Sequence, residues 1–157
     1  MLLPFFQWCE SLWLGQFVVG SLWLFPVIES IHLLSLAMLG GSILLVDFRL
    51  LGLGLKDRAV SELARDARPW MIAALIAMVL TGIPLFLSEP IKCYYSTAFW
   101  IKMTTLPIAL VFAFTVRTRV TRAEPVRNTA RRQQLVGALS IALWFTVAAA
   151  GRWIGFS

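Results

Sequence analysis

Glu29 and His32 stand three residues apart in an apolar run, "PVIESIHLLSLAMLGGSILLVDFRLLG", that is long enough to cross a bilayer. Three residues is close to one helical turn, so the two side chains share a helix face. His32 is the chain's only histidine. An imidazole at that depth can ligate a metal or a haem iron, or exchange a hydrogen bond with a quinone headgroup. Lys102, Arg152 and Glu89 lie at comparable depth in three other apolar runs. Basic groups there suit the propionates of a haem, and the formal charges of the two Glu, Lys102 and Arg152 cancel. Charged side chains inside a membrane are costly and usually face the bundle interior with a partner. We therefore expect Glu29, His32, Lys102 and Arg152 to share one polar site near an end of the bundle. The plainer alternative is two ion pairs, Glu29–Arg152 and Glu89–Lys102, that only fix helix register.

Each chemistry makes its own demand. A single histidine excludes a bis-His haem b within one chain, so a second axial ligand would come from Met38, Met103, water or the histidine of a second protomer. Phe99, Trp100, Trp144 and Phe145 would suit a flat macrocycle, or plain packing. A metal held by His32 with Met sulfurs is compatible with soft-ligand preferences, but no Met-x-Met or His-x-His spacing supports it. A quinone hydrogen-bonded by His32 and Glu29 needs no second ligand. No GxGxxG, P-loop, HExxH or CxxC is present. Asp47 and Arg49, at the other end of the same run, read as an anchor for the helix end.

The elements that carry these residues are helices built for lipid. The chain has 157 residues, of which 59% are hydrophobic and 14% charged, and that balance leaves too little charge to cover a water-soluble domain. We expect an all-α, polytopic membrane four-helix bundle with spans near 23–50, 69–87, 98–116 and 132–153, each close to the ~20 residues a crossing needs. Residues 22–157 form this domain. Residues 1–21 read as an interfacial amphipathic segment, with Phe5, Trp8, Trp13 and Phe17 beside Gln7, Glu10 and Gln16. No basic n-region or A-x-A-like site marks a signal peptide, so this segment is expected to be retained. Between the first two spans, "KDRAVSELARDAR" reads as a separate short helix, with Asp57 as N-cap and Glu62 paired to Arg58 or Arg65.

The net charge of +6 does not point to nucleic acid, because the basic residues flank apolar runs. Arg49, Lys56, Arg58, Arg65 and Arg68 fill the first connection, and Arg117, Arg119, Arg122, Arg127, Arg131 and Arg132 the third. Both connections should face the cytoplasm of a bacterial inner membrane, leaving both termini periplasmic. Cys9 and Cys93 then share the oxidising side, either as a disulfide or as two free thiols. Expected partners are the lipid bilayer, a redox partner or larger membrane complex, and a second copy of the chain. Ser35, Gly40 and Gly41 with Gly137, Ala138, Ala142, Ala148 and Gly151 permit close helix contacts, inside the bundle or in a dimer.

"ESIHLLSLAMLGGSILLVDFRLLGL", "RPW", "YYSTAFWIKM" and the terminal "GRWIGFS" together resemble a family of small four-helix bacterial inner-membrane proteins of uncharacterised function. The resemblance covers roughly residues 22 to 157, and the combination of IH, DFRLLG and GRWIGF carries its specificity. It implies four helices and places Glu29, His32, Asp47, Arg49, Lys102 and Arg152 in the matching blocks. The architecture is also similar to copper-resistance-D-type proteins and other four-helix membrane proteins, some of which bind haem b through paired histidines. The single histidine here departs from that pattern. The resulting expectation is an electron-transfer protein with a haem or quinone site. Its rivals are a non-catalytic subunit or assembly factor, and a small metal-binding or transport component.

Overall fold

The computed structural model describes residues 2–54, 57–122 and 129–156. The described residues are helical throughout their ordered elements: α1 (Leu3–Glu10), α2 (Trp13–Val19), α3 (Leu24–Leu50), α4 (Val60–Ser88), α5 (Pro90–Tyr95), α6 (Thr97–Phe112), α7 (Thr118–Arg122) and α8 (Ala130–Ile154). A π-turn, Ala113–Arg117, joins α6 to α7 without a break. Four helical segments are long and apolar enough to cross a membrane: α3, α4, the continuous run Thr97–Arg122, and α8. All four have windows of mean hydropathy between 1.6 and 2.3.

Packing explains why the apolar residues go where they do. One core draws Leu39 and Ile43 from α3, Met71 and Ala74 from α4, Ala109 and Ala113 from the third segment, and Trp144 and Val147 from α8. Small side chains at Ala74, Ala109 and Ala113 let the backbones approach closely. The outer faces are just as apolar: Val79, Leu80, Val111 and Phe145 are each at least 60% exposed. Such a surface needs hydrocarbon as its solvent. The α3–α4 and α6–α8 pairs make the most extensive contacts, and α3 also packs on α8.

The helix ends have local causes. Gly52 has φ +79° and closes α3, with its N–H donating to Arg49 O at 3.1 Å and the Leu53 N–H donating to Phe48 O at 2.8 Å. This is a Schellman arrangement, which needs a left-handed residue after the helix. The Ser96 hydroxyl caps α6 by accepting the Phe99 N–H at 3.4 Å.

The charged stretch before the second span is not a separate helix. α4 begins at Val60 and runs unbroken through Pro69, which therefore sits inside the helix and not at its start. Pro69 is exposed, so the Arg65 carbonyl it leaves without a helical donor faces solvent. The N-cap residue is Ala59, not Asp57. Arg58 pairs with Asp66 at 2.9 Å and Arg65 approaches the same carboxylate at 3.9 Å, in place of Glu62. Lys56 and Arg127 lie outside the described residues.

Ahead of the bundle, residues 3–19 form two short helices. Phe6 and Cys9 of α1 are buried, and Phe6 joins Cys93 and Phe99 in a second apolar cluster with Phe86 and Tyr94 around it. α2 lies across the C-terminal part of α4, where a Cβ on Gly15 would come within 2.1 Å of the Leu87 carbonyl oxygen. Only glycine permits that crossing.

Candidate functional site

The four segments alternate in direction, so the start of α3, the end of α4, the start of α6 and the end of α8 share one end of the bundle with both termini. His32 lies there, half-buried, with Nδ1 2.8 Å from Thr81 Oγ1 on α4. Thr81 Oγ1 donates its own hydrogen to the Ala77 carbonyl at 2.7 Å. The hydroxyl must then accept from the imidazole, which assigns the proton to Nδ1 and leaves Nε2 with a lone pair. The sp² ring has room against α4 because residue 82 is glycine; a Cβ there would stand 3.4 Å from His32 Cε1.

Lys102 enters the same layer from α6. Its stem packs against Gly151 of α8, where a Cβ would meet Nζ at 3.5 Å. The ammonium is within Coulombic reach of both His32 and Cys93. Among the described residues it makes no ion pair or hydrogen bond. Glu89 is bound instead to its neighbour Lys92 at 3.6 Å, so the Glu89–Lys102 pair of the plainer alternative does not form.

The other two sequence candidates stand apart. Glu29 is half-buried one turn before His32 and has no ion-pair or hydrogen-bond partner among the described residues. Arg152 is exposed, with its guanidinium 4.7 Å from the centre of the Phe156 ring. No Glu29–Arg152 ion pair forms. The structure thus brings His32 and Lys102 into one layer, adds Thr81, and leaves Arg152 at the rim.

Cys9 and Cys93 are both free and buried, so the disulfide is not formed. Burial pushes the Cys93 thiol up to about 11; Glu89 adds to that rise, while Lys102 and Lys92 oppose it. Burial also raises Cys9.

A second polar layer occupies the opposite end. Asp47 of α3 is completely buried, and its Oδ1 accepts the Arg117 Nε–H at 2.8 Å. Arg117 Nη2 also donates to the Ile43 carbonyl at 3.3 Å. Asp47 is therefore part of a buried interhelical pair and not an anchor at the helix end. Arg49 does fit the anchor reading, since its Nε–H donates to the Arg58 carbonyl across the connection at 2.9 Å. The Ser140 hydroxyl of α8 is close enough to influence the Asp47 charge but lies outside hydrogen-bond geometry. The fifteen residues from His32 to Asp47 separate the two layers by about 22 Å. Arg117 was counted as a loop charge in the sequence; the signal that it is more was Asp47 itself, an acid in a span that required a basic partner. Nothing in the sequence singled out Thr81.

A family model covers residues 5–157, nearly the whole chain, including both polar layers. The chain belongs to DUF6644, a family of unknown function. No curated protein and no solved structure matches the chain. Membership in DUF6644 therefore fixes kinship and leaves chemistry to the residues themselves.

The two expected cofactors make different demands on these residues. Haem fits poorly. Met38 is six residues from His32, about 120° away around the helix, and packs against the main core. Met103 is 41% exposed on the outer surface. Phe99 stacks on Phe86 at 5.6 Å in the second apolar cluster, Trp144 sits in the main core and Phe145 is exposed, so these aromatics do not converge beside His32. Among the described residues, no three His, Cys, Asp or Glu side chains group to hold a metal ion. A quinone headgroup would ask only for one hydrogen-bond acceptor and one donor.

Proposed function

We propose that this protein is a multi-pass protein of the bacterial inner membrane that binds a quinol or quinone headgroup at the His32–Lys102 layer. In this reading it is a non-haem electron-transfer component whose termini face the periplasm. The arginine-rich connections would then lie in the cytoplasm, in keeping with the positive-inside bias. Trp13, Trp23 and Trp153, each more than two-thirds exposed near the termini end, suit the interface at that side.

The observation that carries the reading is the fixed imidazole. Thr81 holds the Nδ1 proton, so His32 Nε2 is an acceptor for a ligand hydroxyl. Lys102 Nζ, with no protein partner among the described residues, supplies N–H donors for a carbonyl oxygen. Oxidation of a bound quinol to the quinone releases two electrons and two protons. His32 takes one hydroxyl proton at Nε2 while Lys102 holds the other ring oxygen through charge-assisted hydrogen bonds. The second proton leaves to water at the periplasmic face, on the side of Glu29, which has no described partner. Both electrons pass to a redox partner protein that carries a one-electron centre, which makes this protein one part of a larger redox assembly.

The test is to purify the protein in mild detergent, extract it with organic solvent and quantify isoprenoid quinone per protein. Near-stoichiometric quinone in the wild type and its loss in folded His32→Ala support the proposal. Equal quinone in both, or none in either after reconstitution with quinone-containing lipid, overturns it.

A further inference from the structure

The opposite end of the molecule carries a cavity that the quinone reading does not use. It lies between α3, α4 and the π-turn and has a volume of about 330 Å³. Four arginines line it: Arg65 and Arg68 from α4, Arg117 from the π-turn and Arg122 from α7. Glu62 is the one acid in the lining, and Asp47 lies behind Arg117. Four positive charges against these two acids leave an excess of two.

The arginines are not equivalent. Arg117 is only 6% exposed and has five N–H donors. The Nε–H goes to Asp47 and one Nη2–H to the Ile43 carbonyl, so the remaining donors have no partner among the described residues. Arg68 and Arg122 are exposed and have no described ion-pair partner, and Arg65 has only the 3.9 Å approach to Asp66. The arrangement is a buried guanidinium at the base with exposed arginines around it. Phosphate oxygens match that geometry, because planar guanidinium groups bind them through paired hydrogen bonds.

The remaining wall narrows the ligand class. Val46, Met71 and Phe114 are apolar and stand beside the arginines. Met71 belongs to the bundle core, and Phe114 is 45% exposed on the outer surface of the π-turn. A soluble anion would leave this apolar wall unused. A phospholipid would use both parts, with its headgroup on the arginines and the first part of an acyl chain against Phe114. The π-turn shapes the pocket, since its extra residue per turn lets Arg117 point inward while Phe114 points out.

We propose that this cavity is a binding site for an anionic phospholipid of the leaflet at that end of the bundle, recognised through its phosphate by Arg68, Arg117 and Arg122. The lipid would brace α4 against the π-turn and so steady the Asp47–Arg117 pair. The proposal stands apart from the His32 layer, about 22 Å away.

Native mass spectrometry of the purified protein, titrated with phosphatidylglycerol or phosphatidylcholine of the same chain length, tests it. Phosphatidylglycerol should bind at about tenfold lower concentration than phosphatidylcholine, and the Arg68→Gln/Arg122→Gln variant should lose about that factor. Both positions are exposed, so an unchanged melting temperature in phosphatidylcholine nanodiscs shows that the variant is folded. Phe114→Gln should weaken phosphatidylglycerol adducts while leaving inorganic phosphate without measurable binding. Equal binding of the two lipids, or phosphatidylglycerol binding unchanged in the double arginine variant, overturns the site. Competition by millimolar inorganic phosphate overturns the lipid assignment in favour of a soluble anion.

Discussion

Asp47 and Arg117 are seventy residues apart in the chain, yet their side chains meet at 2.8 Å with the carboxylate fully buried. This contact fastens the third spanning segment to the first at one end, much as the apolar core does at mid-depth. Removing one partner leaves the other charge buried without compensation, at a cost of about 3–5 kcal/mol. Asp47→Ala and Arg117→Ala should each lower the melting temperature in detergent sharply. The Asp47→Leu/Arg117→Met double variant should recover much of the loss. Single variants as stable as the wild type would contradict this role.

Gly15 is where α2 crosses close against the backbone of α4. The Leu87 carbonyl would be 2.1 Å from a new Cβ, and carbonyl backbone cannot give way as a flexible side chain can. Gly15→Ala should detach α2 from α4, with a loss of about 1–3 kcal/mol. Limited proteolysis reads the outcome: cleavage within residues 1–20 should accelerate while the bundle stays resistant. Unchanged protection would show that α2 is held elsewhere.

The thiols provide a pH test outside the spanning segments. Cys93 titrates near 11, about two units above an ordinary thiol, so at pH 8 it carries about a hundredfold less thiolate. Its neutral form is favoured in the folded state, so stability from this group is full below the unfolded value and is lost as pH rises toward 11. Alkylation by iodoacetamide at pH 8 should be slow for Cys93 and Cys9 in folded protein. It should become complete on unfolding without reductant. Labelling that requires reductant would mean that the two cysteines are joined.

Thr81 has a separable role if it sets the His32 tautomer. Thr81→Val keeps the shape and removes the acceptor for Nδ1–H. The variant should fold normally and bind a short-chain quinol about fivefold more weakly, as expected for one hydrogen bond. Equal affinity would remove Thr81 from the site.

How much of this was legible in the sequence depended on the range of the interaction. The first spanning segment was legible because its signal is local hydropathy, and the helix there runs Leu24–Leu50. The start of α4 was misplaced because a proline reads as a helix start, whereas an exposed Pro69 is tolerated inside a helix. His32 and Lys102 could be placed at one depth by counting residues, because rise per residue is fixed. Rotation about each axis is not fixed by counting. For that reason Arg152 could not be seen to turn onto Phe156, nor Arg117 to turn inward through a π-turn. Residue type and position likewise cannot tell two buried free thiols from a disulfide.

Quinol binding turns on His32 Nε2, and because the chain has a single histidine this nitrogen is directly observable. Protein labelled with ¹⁵N-histidine should show an unprotonated Nε2 and a protonated Nδ1 by NMR in detergent micelles. Addition of a short-chain ubiquinol should shift the Nε2 resonance saturably, and Lys102→Met should weaken that shift. A resonance unmoved at saturating quinol, or a proton already on Nε2 in the free protein, would exclude quinol binding at His32.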